Sequence, residues 1–377
     1  MELTAGRLIR DDRAIRHLDP VLIVTAVALA VYGLFMVYSA SHQSLGALGE
    51  DPGFFLKKQV AFLLLGLVAL LVAASVDYRL VKVYAPLAWA GAVFVLLVVL
   101  TPLGSETAGA QRWITLFGFQ FQPSEFAKLA ATAMIAAYLS ELREDLSIEQ
   151  VWRTTGLAVL PMVLVFVQPD VGTTMVFAAI LLGLLVMAGA KAKHIGILAL
   201  VALIALFGAF RLGIIKEYQI ARVAGFLDST EDPLRAGYNR QQAEIAIGSG
   251  GTFGRGYLDG TQTNLDFVPE QHTDFIFTVV GEELGFVGGM FLLLLFGVLT
   301  WRAFRTAAIA GDSYGRYLAV GIAIMFAFQV FVNVGMTLGI MPITGIPLPL
   351  VSYGGSALIT NLTAVGLLLN IHMRRFK

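Results

Sequence analysis

Cysteine is absent from the 377 residues, which removes disulfides, thiolate chemistry and any cysteine-ligated metal site. Charge is scarce: Asp, Glu, Lys and Arg make up 14% of the chain, where a soluble domain carries nearer about a quarter. The formal net charge is zero, so no global basic field recruits nucleic acid. Histidines are few, and His17, His42, His194 and His372 lie at span ends or in loops without ligand spacing, so no histidine metal site is expected. There is no fixed-period repeat and no stretch with the composition of a separate soluble domain. What is abundant is apolar surface: 57% of residues are hydrophobic and the mean hydropathy is +0.78. Most of this surface must face something other than water.

A bilayer core needs about 20 apolar residues in a helix. The apolar runs at 21–40, 59–76, 83–102, 124–140, 154–168, 172–190, 194–213, 275–300, 314–339 and 354–372 predict ten spans in one all-α domain covering 1–377. The first run is longer than a signal-peptide core, so it reads as a retained span behind a tail at 1–20. An even number of spans puts both termini on one side. Lys and Arg choose that side. With cytoplasmic termini, the inside segments hold Arg7, Arg10, Arg13 and Arg16, Arg79 and Lys82, Arg143 and Arg153, Lys191 and Lys193, Arg302, Arg305 and Arg316, and Arg374, Arg375 and Lys377. The short outside loops hold only Lys57, Lys58 and Arg112.

Two connections are irregular. Residues 214–274 form a long polar outside segment between spans seven and eight. Its aromatics, among them Tyr218, Phe226, Tyr238, Phe253, Tyr257 and Phe267, argue for a folded segment with short helices rather than a disordered one. The glycine run at 248–256 follows no strand and reads as turn chemistry, not as a nucleotide loop. Residues 341–355 hold three prolines and three glycines and cannot continue a helix. Such backbone at membrane depth must be covered by protein or line a wet cavity.

Ionisable groups inside or at the edge of spans are costly, about 2.5–3.5 kcal/mol each where they reach the bilayer centre, and need a reason to be there. Asp274, in Pro269-Glu270-Gln271-His272-Thr273-Asp274-Phe275, enters span eight. It reads either as a helix N-cap or as a general base at the water–membrane boundary. Asp274, Thr278 and Glu282 fall on one helical face. In Gln122-Pro123-Ser124-Glu125-Phe126-Ala127-Lys128, Glu125 and Lys128 either pair as a structural bridge or turn Lys128 towards a phosphate. Arg112-Trp113 is either an interfacial anchor or a phosphate-and-sugar contact. Asp170 is placed to cap span six.

Taken together, these motifs resemble the RodA/FtsW (SEDS) family, closest to its elongation members. The resemblance rests on Gln111-Arg112-Trp113, Gln122-Pro123-Ser124-Glu125 with Lys128, Gln168-Pro169-Asp170, Ala246-Ile247-Gly248-Ser249-Gly250-Gly251, residues 269–275, and Pro347-Leu348-Pro349-Leu350-Val351-Ser352-Tyr353-Gly354-Gly355-Ser356. It runs from span one to the C-terminus. It departs only at apolar positions: Phe267-Val268 before Pro-Glu, and Val171 after Pro-Asp.

The resemblance implies a peptidoglycan glycosyltransferase that polymerises lipid II at the outer face of the bacterial cytoplasmic membrane, with inversion. It implies a class B penicillin-binding protein as working partner, beside nascent glycan and other elongation-complex membrane proteins. The family's essential aspartate falls on Asp274, and its span-four glutamate and lysine on Glu125 and Lys128. Its tryptophan falls on Trp113. Arg112, Arg222, Arg240, Gln242, Glu270, His272, Ser352 and Tyr353 complete the expected substrate surface. The leaving pyrophosphate needs cations: Lys128, Arg112, Arg222 and Arg240 are the candidates, and a divalent cation (Mg or Mn) is the alternative and the one cofactor considered. Two other functions fit ten spans with intramembrane charge: a lipid II flippase, and a scaffold without chemistry.

Overall fold

The computed structural model describes residues 17–107, 110–116, 119–142, 146–211, 213, 236–265 and 267–376. The N-terminal arginines, Arg143, Arg222 and Arg235 lie outside the described residues.

The long helices are α1 (Pro20–Ala47), α2 (Phe54–Ser75), α3 (Tyr78–Val99), α4 (Pro123–Glu141), α5 (Ile148–Val167), α6 (Val171–Met187) and α7 (Ala192–Arg211). After them come α8 (Ala236–Gly250), the short α9 (Thr261–Asn264), α10 (Ile276–Glu283), α11 (Gly285–Ala308), α12 (Ser313–Thr337) and α13 (Gly355–Met373). Eight of these, α1, α2, α3, α5, α7, α11, α12 and α13, are long and apolar enough to cross a membrane; α6 is a shorter apolar helix. Their starts are cut by side chains that accept the orphan first-turn amides. Asp19 accepts from Leu22, Asp170 from Thr173 and Asp312 from Gly315, and Ser147 with Gln150 forms a capping box.

α12 and α13 are the central helices, with 72% and 83% of their apolar windows enclosed, against 11% for α3 and α7 at the rim. Helices apolar on every face sort in this way: the inner ones meet protein and the outer ones meet lipid. Both described chain ends sit at one end of the bundle, where the His17 and Phe376 rings are 5.2 Å apart and Asp19 pairs with Arg302 at 2.5 Å.

The opposite end carries a feature the all-helical expectation did not include. Between α3 and α4, β1 (Ser105–Thr107), β2 (Ala110–Leu116) and β3 (Phe119–Phe121) form an antiparallel sheet in the order β1-β2-β3. Ser105 pairs with Trp113, and Ile114 with Phe121.

The eighth span also departs from expectation. The run 275–300 is not one helix: α10 ends at Glu283, and α11 starts at Gly285, whose φ of 64° is not helical. The glycine run at 248–256 explains why the break is tolerated. Arg255 and Gly256 donate to the carbonyls of Glu282 and Glu283, while Phe286 and Val287 donate to Gly251 and Thr252. Backbone groups freed by the break are thus re-bonded inside the protein, as a low-dielectric setting demands. The described part of the 214–274 segment is folded, as α8 and α9, and packs Ala243 against Val268, Phe275 and Ile343.

Candidate functional site

At the hairpin end, an open cavity of about 430 Å³ lies between α2, β2–β3, the 270–273 turn and the start of α13. Trp113, Glu270, His272 and Tyr353 line it, four of the residues singled out from the sequence. Phe55, Lys58, Phe62 and Phe119 complete its walls. The rings form one array: Phe55 stands 4.4 Å from His272 and 4.9 Å from Tyr353, and Phe62 is 5.9 Å from Phe119. Aromatic faces beside a few polar groups suit a ligand with apolar sugar faces and polar edges.

The backbone holds this array in place through buried amides that sequence reasoning missed. Gln59, 1% exposed, donates to the Ser352 carbonyl and accepts from the Gly354 amide. Tyr353 donates its amide to the His272 carbonyl at 2.9 Å. Asn333, fully buried on α12, donates to the carbonyls of Asp274 and Ile346 at 2.8 and 2.7 Å. The signal for Gln59 and Asn333 was available: an amide inside an apolar run has to be bonded to something.

Asp274 continues directly from the lining Thr273 and is half-buried. It does not occupy the N-cap of α10; that position is Phe275, whose side chain makes no cap. Its carboxylate approaches the backbone of Gly345, where a side chain would sit 3.2 Å from Oδ2. Gly345 is at φ 74°, a conformation open to glycine at little cost. Glu270, four residues earlier, stands at φ 53° and receives the amides of Thr273, Asp274 and Phe275 on its carbonyl. Strain of this kind persists where the surroundings over-determine it. The face shared by Asp274, Thr278 and Glu282 divides in use. Thr278 donates to Phe275, and Glu282 receives the Gln262 and Thr263 amides at the start of α9.

The remaining expected site residues, apart from Arg222, which lies outside the described residues, stand away from the cavity. Glu125 and Lys128 bond each other at 2.7 Å, each 1% exposed, so the ammonium is committed to a carboxylate and sealed from solvent. Arg112 points off the opposite side of β2 from Trp113 and donates to the Gln168 and Pro169 carbonyls, a brace on the α5–α6 turn. Ser352 is buried and its hydroxyl accepts the Leu348 amide, closing the loop that presents Tyr353. Arg240 pairs with Glu244 on α8, and Gln242 on the same helix does not line the cavity. The motif residues of the frame also bind one another: Gln122 donates to Asp170 and to the Ser356 hydroxyl. For a divalent ion, no group of three His, Asp or Glu side chains gathers among the described residues.

A second cavity, about 760 Å³ and almost wholly apolar, opens between α2, α3, α4 and α13. Ala69, Val72, Val95, Phe126 and Leu367 are among its walls. The β3–α4 junction separates the two cavities. Phe119 and Gln120 face the first; Phe121 and Pro123 face the second.

The family model for the cell cycle proteins FtsW/RodA/SpoVE matches residues 20–377. The peptidoglycan glycosyltransferase MrdB of Escherichia coli K12 is 40% identical over 359 residues, covering 95% of this chain and 94% of that protein. The rod shape determining protein RodA of Thermus thermophilus superposes with a TM-score of 0.70 at 30% identity, covering 96% of this chain and 98% of that one. A chain from a solved structure described as "Structural coordination of polymerization and crosslinking by a peptidoglycan synthase complex" superposes at 0.80 with 32% identity, covering 96% and 99%. On this match the chain, a polytopic membrane protein, belongs to the FtsW/RodA/SpoVE family.

Proposed function

We propose that this protein is a peptidoglycan glycosyltransferase that polymerises lipid II, with Asp274 as the general base. The observation that carries the reading is the half-buried Asp274 carboxylate, backbone-clamped by Asn333 at the edge of an aromatic-walled cavity. Asp274 takes the proton from the GlcNAc 4-hydroxyl of one lipid-linked sugar. The freed oxygen attacks C1 of the MurNAc at the end of the other chain. The C1–oxygen bond to undecaprenyl pyrophosphate breaks and the anomeric centre inverts. One displacement with one base suffices, as in inverting glycosidases. The apolar cavity beside β3 takes the prenyl chain, so the headgroup of the same molecule reaches the aromatic cavity.

Ten crossings account for the eight long apolar helices together with α4 and α6, and an even count agrees with the meeting of the two described chain ends. The end with the termini collects Arg79, Lys82, Arg153, Lys191, Lys193, Arg302, Arg305, Arg316, Arg374 and Arg375, a bias that supports a cytoplasmic side for it. The hairpin end then faces outward, where lipid II is consumed. A class B penicillin-binding protein is the working partner, by likeness to the synthase complex.

The test is Asp274→Asn in purified protein with that partner. Size is kept and basicity is lost, so glycan polymerisation should fall by at least about 10²-fold. Polymerisation at the normal rate would remove Asp274 from the mechanism.

A further inference from the structure

A transferase that expels a diphosphate needs cations near its substrate. Of the basic residues first expected to serve, Arg222 lies outside the described residues and the other three are occupied. Lys128 is paired with Glu125, Arg112 with backbone carbonyls, and Arg240 with Glu244. Lys58 is different. It lines the aromatic cavity, is half-buried, and has no carboxylate within ion-pair distance among the described residues. Its ammonium stands 4.3 Å from the centroid of the Phe54 ring, a contact that orients it without neutralising it. Its neighbour Lys57 shows the alternative: that ammonium sits 2.5 Å from Asp51 and points away from the cavity.

Three features converge on this side chain. Lys58 is in the second turn of α2, so the positive end of the helix adds to its charge. The next residue, Gln59, ties the same turn to Ser352 and Gly354, which anchors the backbone that carries Lys58 beside the loop of Tyr353. The exposed Glu270, which lines the same cavity, supplies the opposite charge, with its carboxylate accepting from Thr273 at 3.2 Å. Aromatic walls beside an ammonium that no carboxylate among the described residues neutralises suit an anionic saccharide.

We propose that Lys58 is the anion-binding residue of this cavity and that its ligand is an anionic group carried on the lipid-linked sugar. This rests on the glycosyltransferase reading for the identity of the ligand, but not on the role of Asp274. The anion has two possible sources of shared chemistry: the diphosphate, or a carboxylate of the sugar–peptide. Lys58 is a binding residue; it touches substrate and moves no proton.

The experiment measures binding, not turnover, on the Asp274→Asn background. Lipid II affinity is compared for the parent, Lys58→Gln, Lys58→Arg and Lys57→Gln, at low and high salt. Undecaprenyl pyrophosphate serves as the sugar-free probe. Lys58→Gln should weaken lipid II binding about tenfold at low salt. The deficit should shrink at high salt, because a half-exposed ion contact is screened. Lys58→Arg should restore most of the affinity, and Lys57→Gln should leave it unchanged. If undecaprenyl pyrophosphate weakens in parallel, the anion is the diphosphate; if only lipid II weakens, it is the sugar–peptide carboxylate. Equal affinity of Lys58→Gln and the parent at low salt overturns the proposal, as does an equal loss in Lys57→Gln. A mutant that misfolds is recognised by its melting curve, and Lys58→Arg then decides: binding at the parent level with salt sensitivity supports the assignment, and salt-insensitive binding rejects it. Because no step requires catalysis, this result stands whether or not Asp274 proves to be the base.

Discussion

At the scale of single residues, the protein separates two kinds of buried charge. Asp274 and Lys58 stand at the cavity and keep contact with water, whereas Glu125 and Lys128 are enclosed and pair with each other at 2.7 Å. Removing one member of an enclosed pair leaves the other charge without a partner, at a cost of about 3–5 kcal/mol. Lys128→Met should therefore lower stability by that amount, read as a loss of melting temperature in detergent. Glu125→Gln combined with Lys128→Met should recover most of it, since both charges are then gone. A double mutant no more stable than the single one would mean that the pair is not what holds this part of α4. The i,i+3 spacing was visible in the sequence, and so was the choice between a bridge and a phosphate contact. Sequence could not decide between them, because exposure at that depth depends on what α12 and α13 place over the first turns of α4.

At the scale of elements, the junction between α10 and α11 is irregular but closely supported by the 251–256 backbone. Gly285 lies at φ 64°, and the backbone of Phe253 and Gly254 packs where its side chain would be. Gly285→Ala should cost at least about 1–2 kcal/mol from the left-handed backbone alone, with steric displacement of the 253–254 turn added. Thermal unfolding of the purified variant measures this, and an unchanged melting temperature would show that the turn yields freely. The apolar run at 275–300 carried no proline to announce the break, and its only glycines are common in membrane helices. The break was legible only through the partner segment 251–256, whose amides and carbonyls replace the missing helical bonds. The β-sheet was hidden for a similar reason: its longest strand has seven residues, and its pairing joins positions across a turn rather than along a period.

At the scale of the whole molecule, polar contacts tie the terminal end of the bundle. Asp312 caps α12 through Gly315, accepts from the Tyr78 hydroxyl at 2.5 Å and from Arg79 at 3.3 Å, and so joins α12 to α3. Burial alone raises its carboxyl, but these hydrogen bonds outweigh burial and hold it below the usual aspartate value of 3.8. A carboxyl lowered in the folded state contributes stability that is complete above the unfolded value and is lost as pH falls through the folded one. The wild-type protein should therefore lose stability below about pH 4. Asp312→Asn should start less stable at neutral pH and lose less on acidification. Parallel melting-temperature curves for the two proteins from pH 7 to pH 3 would exclude Asp312 as a contributor.

Sequence alone determined the medium, the helical class, the positions of most spans, and the motif set that resembles one family. Each of these follows from local composition: about 20 apolar residues must be helical in a bilayer, whatever else the chain does. It also singled out Trp113, Glu270, His272 and Tyr353, which tertiary structure brings to one cavity. Only the tertiary structure decided which charges face that cavity. Lys58 looked like one loop cation among several, while Arg112 and Lys128 looked like better phosphate ligands. The outcome turned on where neighbouring carbonyls and carboxylates happened to lie: Gln168 and Pro169 took Arg112, Glu125 took Lys128, and no carboxylate among the described residues took Lys58. A charge is available to a ligand only where the fold has not already neutralised it, and that depends on contacts between distant segments that no local pattern encodes.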